Sequence, residues 1–173
     1  LYAFALAGVL GLSSCSDFLD QTSPSEMTAE TTYASPYYTN LRVNKLYGGM
    51  GQDRTYAQDL SIVWNLNSDC ELIDGLGSNA TNTSSERGNM NYNMDPGWSK
   101  ISGVWDAEYG IIEDANQIIE GIRSSATLTA GGANQKSMER SLGEALTIRA
   151  MVYFDLVRIF GDIAFMREAS KSD

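Results

Sequence analysis

Hydrophobic residues recur at steps of three and four along two long stretches of the chain, and at no regular interval between Gly75 and Pro96. From Trp98 to Ile122, the residues Trp105, Tyr109, Ile112, Asn116, Ile119 and Ile122 share one helical face, and Ile111, Ala115 and Ile118 widen it. From Lys136 to Gly161 two apolar stripes run side by side. Leu142, Leu146, Ala150, Tyr153, Val157 and Phe160 form one; Ile148, Val152, Leu156 and Ile159 form the other. A helix apolar on two faces is expected to lie between neighbours, as the inner helices of a solenoid do. Ser124 to Gln135, with Gly131-Gly132, reads as the loop joining the two.

Upstream the signals are more local. Ser35-Pro36 is a helix start, a capping residue followed by proline at the first helical position. That helix is expected to turn Tyr38, Leu41 and Leu46 inward and to stop at Gly48-Gly49. Asp59 to Ile73 is mixed, and Ser61 to Trp64 fits either a helix or a short strand. Gly75 to Pro96, rich in Gly, Asn, Ser and Thr, reads as a long loop of the kind that is usually functional or disordered. No clear internal repeat of about 34 residues is visible. The fold class this implies is all-α, with helices joined by long loops.

The N-terminal segment needs a separate explanation. Residues 1–12, LYAFALAGVLGL, are uncharged and apolar, and fall short of the roughly 20 residues that span a bilayer. Leu12-Ser-Ser-Cys15 follows, an aliphatic residue and two small ones before a cysteine, which is the pattern of a lipoprotein processing site. Residues 1–14 are therefore expected to be a lipoprotein signal peptide, and Cys15 the lipidated first residue of the mature chain. Acyl chains hold a protein by about 0.8 kcal/mol per buried methylene. Ser16 to Ala34, polar and with Pro24, reads as an extended tether, so that 15–34 precede a helical domain over 35–173. The lack of an initial Met or a natural-looking end gives the expectation of a fragment, with a domain left incomplete.

Composition narrows the chemistry. At 43% hydrophobic and 20% charged, the 173-residue chain can bury a core. A net charge of -10 with no basic cluster argues against nucleic acid, whose phosphates need Lys and Arg patches, and against electrostatic binding to an anionic bilayer. There is no histidine, which excludes Ser-His-Asp and Cys-His catalysis and removes the commonest zinc ligand. No cofactor is implied. Once Cys15 is lipidated, Cys70 remains as a single thiol, expected to be buried. Asn65 to Asp69 resembles the start of a calcium loop, but Cys70 and Leu76 stand where an EF-hand needs Gly and Glu, so no metal site is expected.

Three segments together resemble the SusD/RagB family. They are Cys15-Ser-Asp-Phe-Leu-Asp20; Trp105-Asp-Ala-Glu-Tyr-Gly-Ile-Ile-Glu-Asp-Ala-Asn-Gln-Ile-Ile119, similar to a W-x3-Y-x2-I-x2-A-N-x2-I helix; and Gly143 to Asp162, similar to E-A-x3-R-A-x2-Y-F-x-L-V-x2-F-G-D. The resemblance implies an outer-membrane, surface-exposed lipoprotein with a helical scaffold containing tetratricopeptide-like helix pairs. It implies binding of glycans or peptides, and their delivery to a SusC-like TonB-dependent transporter, without catalysis. Acidic residues behind Cys15 resemble the surface-export signal of such lipoproteins.

Within that frame the ligand chemistry points to one loop. Sugars are held by aromatic platforms together with amides, Arg or Asp as hydrogen-bonding partners. Arg87, Asn89, Tyr92, Asn93 and Trp98 supply these types outside any helical stripe, and are the candidate glycan-binding residues. In the helices, Glu144, Arg149, Asp155 and Arg158 read as scaffold ion pairs, with Asp155 and Arg158 in pairing distance and Arg149 reaching another helix. Trp105, Tyr109, Tyr153 and Phe154 read as core. A glycosidase would need two facing carboxylates, for which Glu71 with Asp74, or Asp106 with Glu108, are the available pairs, neither in a recognisable catalytic setting. A helical adaptor binding only protein, or a peptide-binding subunit, are the alternatives to glycan capture.

Overall fold

The computed structural model describes residues 27–66, 68–70 and 95–170. The first helix, α1 (Ala29–Ala34), starts where Thr28 accepts a hydrogen bond from the Thr31 amide at 3.2 Å, with Glu30 in the first turn complementing the helix dipole. The expected tether thus ends in a helix: Thr28 supplies a cap that the polar composition concealed. Pro36 forces Ser35 into an extended conformation and so ends α1.

That same proline opens α2 (Pro36–Met50), as expected, although the Ser35 side chain makes no capping bond. The inward face is Thr39, Val43 and Leu46, whereas Tyr38 and Leu41 are exposed. The expected stop at Gly48-Gly49 is overrun. A Cβ on Gly49 would come within 3.1 Å of the Ile111 side chain, so this glycine serves helix–helix approach rather than termination. A turn over 51–58 is pinned by Thr55, whose hydroxyl lies 2.6–2.9 Å from the carbonyls of Gly49, Met50 and Gln52. It leads into α3 (Asp59–Asn65), which settles the helix-or-strand ambiguity in favour of helix.

Two long helices then form the body, α4 (Ser99–Ser124) and α5 (Gly132–Phe160), with a 3₁₀ turn (Ala126–Thr129) between them. The expected connecting loop is shorter than its composition implied, because Gly131 and Gly132 adopt positive φ and start α5 at once. Gly161, at φ 74°, ends it. Residues 163–170 turn back without regular secondary structure.

The main core lies between α2, α4 and α5. Ile112, Ile118, Ile119 and Ile122 from α4 meet Ile148, Val152 and Leu156 from α5, with Val43 and Leu46 of α2 alongside. A second, smaller cluster joins Leu60 and Val63 of α3 to Trp98 and Val104. Of the two α5 stripes, Ile148, Val152 and Leu156 of one are fully buried, whereas in the other Tyr153 is buried, Leu142, Leu146 and Phe160 are half-buried against the core, and Ala150 and Val157 are exposed. Met151, Phe154 and Val157 are exposed, so the sandwiching expected of α5, and the core role expected of Phe154, are not realised here. The described residues form an all-α arrangement.

Candidate functional site

Residues 163–170 run back along α4 and α5 as a strap held chiefly by its main chain. The Tyr153 hydroxyl both donates to the Met166 carbonyl and accepts from the Met166 amide, each at 2.7 Å. Asn116 Nδ2 donates to the carbonyls of Met166 and Glu168 at 3.2 and 3.1 Å. Arg149 Nη1 donates to Asn116 Oδ1 at 2.6 Å and to the Arg167 carbonyl at 3.3 Å. Tyr109 donates to the Ala164 carbonyl, while Glu120 and Glu113 accept from the Ala169 and Ser170 amides. The donors and acceptors sit at helical spacing on two facing helices, which is why they line up along an extended chain.

Beside the end of the strap lies a groove of about 720 Å³, lined in part by Thr32, Tyr33, Arg42, Gln117, Glu120 and Ser124. Tyr33 lies on α4 because Gly121 has no side chain: a Cβ there would stand 2.1 Å from the ring. The last carbonyls of α1 are taken up by Ser125, which donates to the Tyr33 carbonyl at 2.6 Å, and by Thr127, which donates to the Ala34 carbonyl at 2.9 Å.

Between the two cores runs a buried acidic seam. Glu108 is 0% exposed and neither carboxyl oxygen has a hydrogen-bond partner among the described residues. Burial first, and the nearby Asp155 charge second, push its pKa up to about 8. Asp155, also buried, accepts from the Tyr56 hydroxyl. Burial raises the Asp155 pKa, against the opposing pull of the Tyr56 bond and the Arg158 charge. Tyr56 is raised too, by burial and then by its bond to Asp155. Arg158 lies over the rings of Trp64 and Phe154, at 5.0 and 5.4 Å.

Residues 17–173 match the SusD-like family, described as starch-binding and associating with the outer membrane. The chain belongs to the SusD-like family. It is 28% identical over 159 residues to SusD-like protein P2 of Formosa agariphila, covering 91% of this chain and 29% of that protein. It is 23% identical over 164 residues to SusD-like protein P25 of the same organism, covering 90% and 29%. A SusD-like protein of Bacteroides ovatus is 28% identical over 71 residues, covering 41% of this chain and 12% of that one. The chain thus spans about 29% of the length of the first two relatives. No solved structure matches it.

The residues that carry the SusD-like motifs converge on the strap. Tyr109 and Asn116 from the α4 motif and Arg149 and Tyr153 from the α5 motif all bind its main chain. Arg149 reaches another helix as expected, but its partner is an amide rather than an acid. Asp155, expected to pair with Arg158 along the helix, turns to Tyr56 instead. Glu144 is in an ion pair, with Arg140 at 2.8 Å.

Of the candidate glycan residues, Arg87, Asn89, Tyr92 and Asn93 lie outside the described residues, as does Cys15. Trp98 is 2% exposed, packed in the small core beneath α3, and presents no ring face to a ligand; its expected role as a stacking platform is corrected to packing. Cys70, expected to be buried, is a free and exposed thiol. Glu71 and Asp74 are outside the described residues. Asp106 and Glu108 cannot face one another across a sugar, since they are two residues apart on a helix and one is exposed while the other is buried. Among the described residues there is no metal-binding cluster and no helix long and apolar enough to cross a membrane. Sequence reasoning missed the groove because its lining comes from α1, α2, α4 and the strap, and no one stretch of sequence shows it.

Proposed function

We propose that this SusD-like chain is part of a surface lipoprotein that captures oligosaccharides and passes them to a TonB-dependent outer-membrane transporter, with no catalytic step of its own. The match of residues 17–173 to a family described as starch-binding and associating with the outer membrane carries the proposal. Cys15 supplies the anchor: the chain's charge of -10 gives no attraction to an anionic leaflet, and a thioether-linked lipid does the holding. Arg87, Asn89, Tyr92 and Asn93 supply stacking and hydrogen bonding to the captured glycan. Two measurements test this reading. Mass spectrometry of the protein from its native envelope is expected to find Cys15 acylated, and an unmodified Cys15 sulfur refutes the anchor. Affinity electrophoresis in soluble starch is expected to retard the intact chain; migration unchanged by starch and by other neutral polysaccharides refutes glycan capture.

A second reading, a helical adaptor that binds only protein within the same complex, draws support from the exposed apolar row Met151, Phe154, Val157 and Phe165. Co-purification with the transporter, together with a blank glycan array, would favour it.

A further inference from the structure

We propose that the groove along α1 and α4 is a second carbohydrate site, one that takes a neutral oligosaccharide of more than one residue; this rests on the glycan-capture reading above. Shape is the first argument. The groove of about 720 Å³ adjoins another of about 400 Å³, and both are lined by Ala29, Tyr33, Gly121 and Ser124. The two share Tyr33, whose ring is seated on Gly121. Each part is within the range of small-molecule sites, roughly 300–1,000 Å³. At about 720 Å³ the larger groove has room for more than one linked sugar ring.

The chemistry of the lining is the second argument. Each sugar hydroxyl both donates and accepts. The lining offers a donor-only group in Arg42, an acceptor-only group in Glu120, and an amide in Gln117 whose Nε2 also donates to Glu113 Oε1 at 3.0 Å; the Thr32 and Ser124 hydroxyls donate to the Thr28 and Gly121 carbonyls at 2.9 and 3.0 Å and are left to accept. Arg42 spends a donor on Gln117 Oε1 at 3.4 Å, and a guanidinium has five. Glu120 spends Oε1 on the Ala169 amide at 2.7 Å. An anionic ligand would meet Glu120 and a cationic one would meet Arg42, whereas a neutral polyol satisfies both.

The site can be tested by calorimetric titration of the intact chain with maltoheptaose, cellohexaose and xylohexaose. The parent is expected to bind at least one. R42A/Q117A should weaken that binding by about tenfold, the loss of charge-assisted and amide hydrogen bonds, with the melting temperature unchanged. Arg42→Lys keeps the charge and the stem but loses the planar fork, so it should weaken binding several-fold and provides a readout should the double variant fold poorly. If the parent binds and both variants keep its affinity within about twofold, the groove is not the site and glycan capture stands. If the parent binds none of the three, the groove proposal falls together with the capture reading on which it rests.

Discussion

The two cores of this chain are built from contrasting materials. Between α2, α4 and α5, aliphatic side chains at helical spacing meet aliphatic side chains, and nearly all are fully buried. Beneath α3 the apolar cluster is small, and the neighbouring seam contains Tyr56, Asp155 and Glu108, with Lys100 paired to Asp59 at 2.6 Å close to the start of α4. Burial of methylenes is additive and insensitive to conditions near neutrality; burial of carboxyl groups makes stability depend on protonation. The large core should therefore set how stable the chain is, and the seam should set how that stability varies with pH.

The largest effect should come from emptying the main core. Ile118→Ala, at a fully buried position, is expected to cost about 3–4 kcal/mol in urea unfolding, and Leu60→Ala in the small core about 2–3 kcal/mol. Equal losses at the two sites would break the contrast between them. Glu108 comes next. Its folded-state pKa of about 8 lies above its ordinary value of 4.5, so the folded chain holds the proton more tightly. Stability is then highest below the unfolded pKa and falls as pH rises from about 5 to 9. Glu108→Gln should be stabilising at pH 9 by a few kcal/mol, on the order of 3, and near neutral at pH 5; a parallel pH profile for parent and variant would refute the assignment.

Smaller effects concern the strap and the surface. Tyr153→Phe removes the hydroxyl that both donates to and accepts from Met166, at a cost of about 1–2 kcal/mol. Amide exchange at Met166 should accelerate while amides in the middle of α4 stay protected, and uniform acceleration would show that the strap is not a separate unit. Least of all should come from Lys45→Ala. This breaks an exposed pair with Asp114 at 2.7 Å, and less than about 0.5 kcal/mol is expected, within reach of differential scanning calorimetry.

Legibility in the sequence followed the same divide. The main core was readable because Ile112, Ile119 and Ile122, and Ile148, Val152 and Leu156, repeat at a step that only a helix satisfies. The face of α2 was misjudged because large Tyr and Leu side chains were weighted over the smaller Thr39 and Val43, which fit a close helix contact beside Gly49. Glu108 interrupts an apolar face and carries no local sign of its burial; tertiary packing places its carboxyl near Asp155 of α5 and Tyr56, out of reach of solvent. Trp98 was assigned to a ligand because it stands at the edge of a polar stretch, whereas tertiary packing claims it for the small core. The groove was invisible for a topological reason: Arg42 and Gln117 are 75 residues apart.

Because the grip on residues 163–170 is taken mostly on peptide groups, the side chains there are only lightly constrained. Ile163 and Phe165 pack against the helices, and Ser170 adds its hydroxyl; Ala164, Arg167, Glu168 and Ala169 contribute only backbone atoms to the bonds described. Such a segment can drift in sequence among relatives while keeping its path, so long as Tyr109, Asn116, Arg149 and Tyr153 do not change. An alignment would score it as dispensable, yet it would be among the most faithfully placed stretches of main chain.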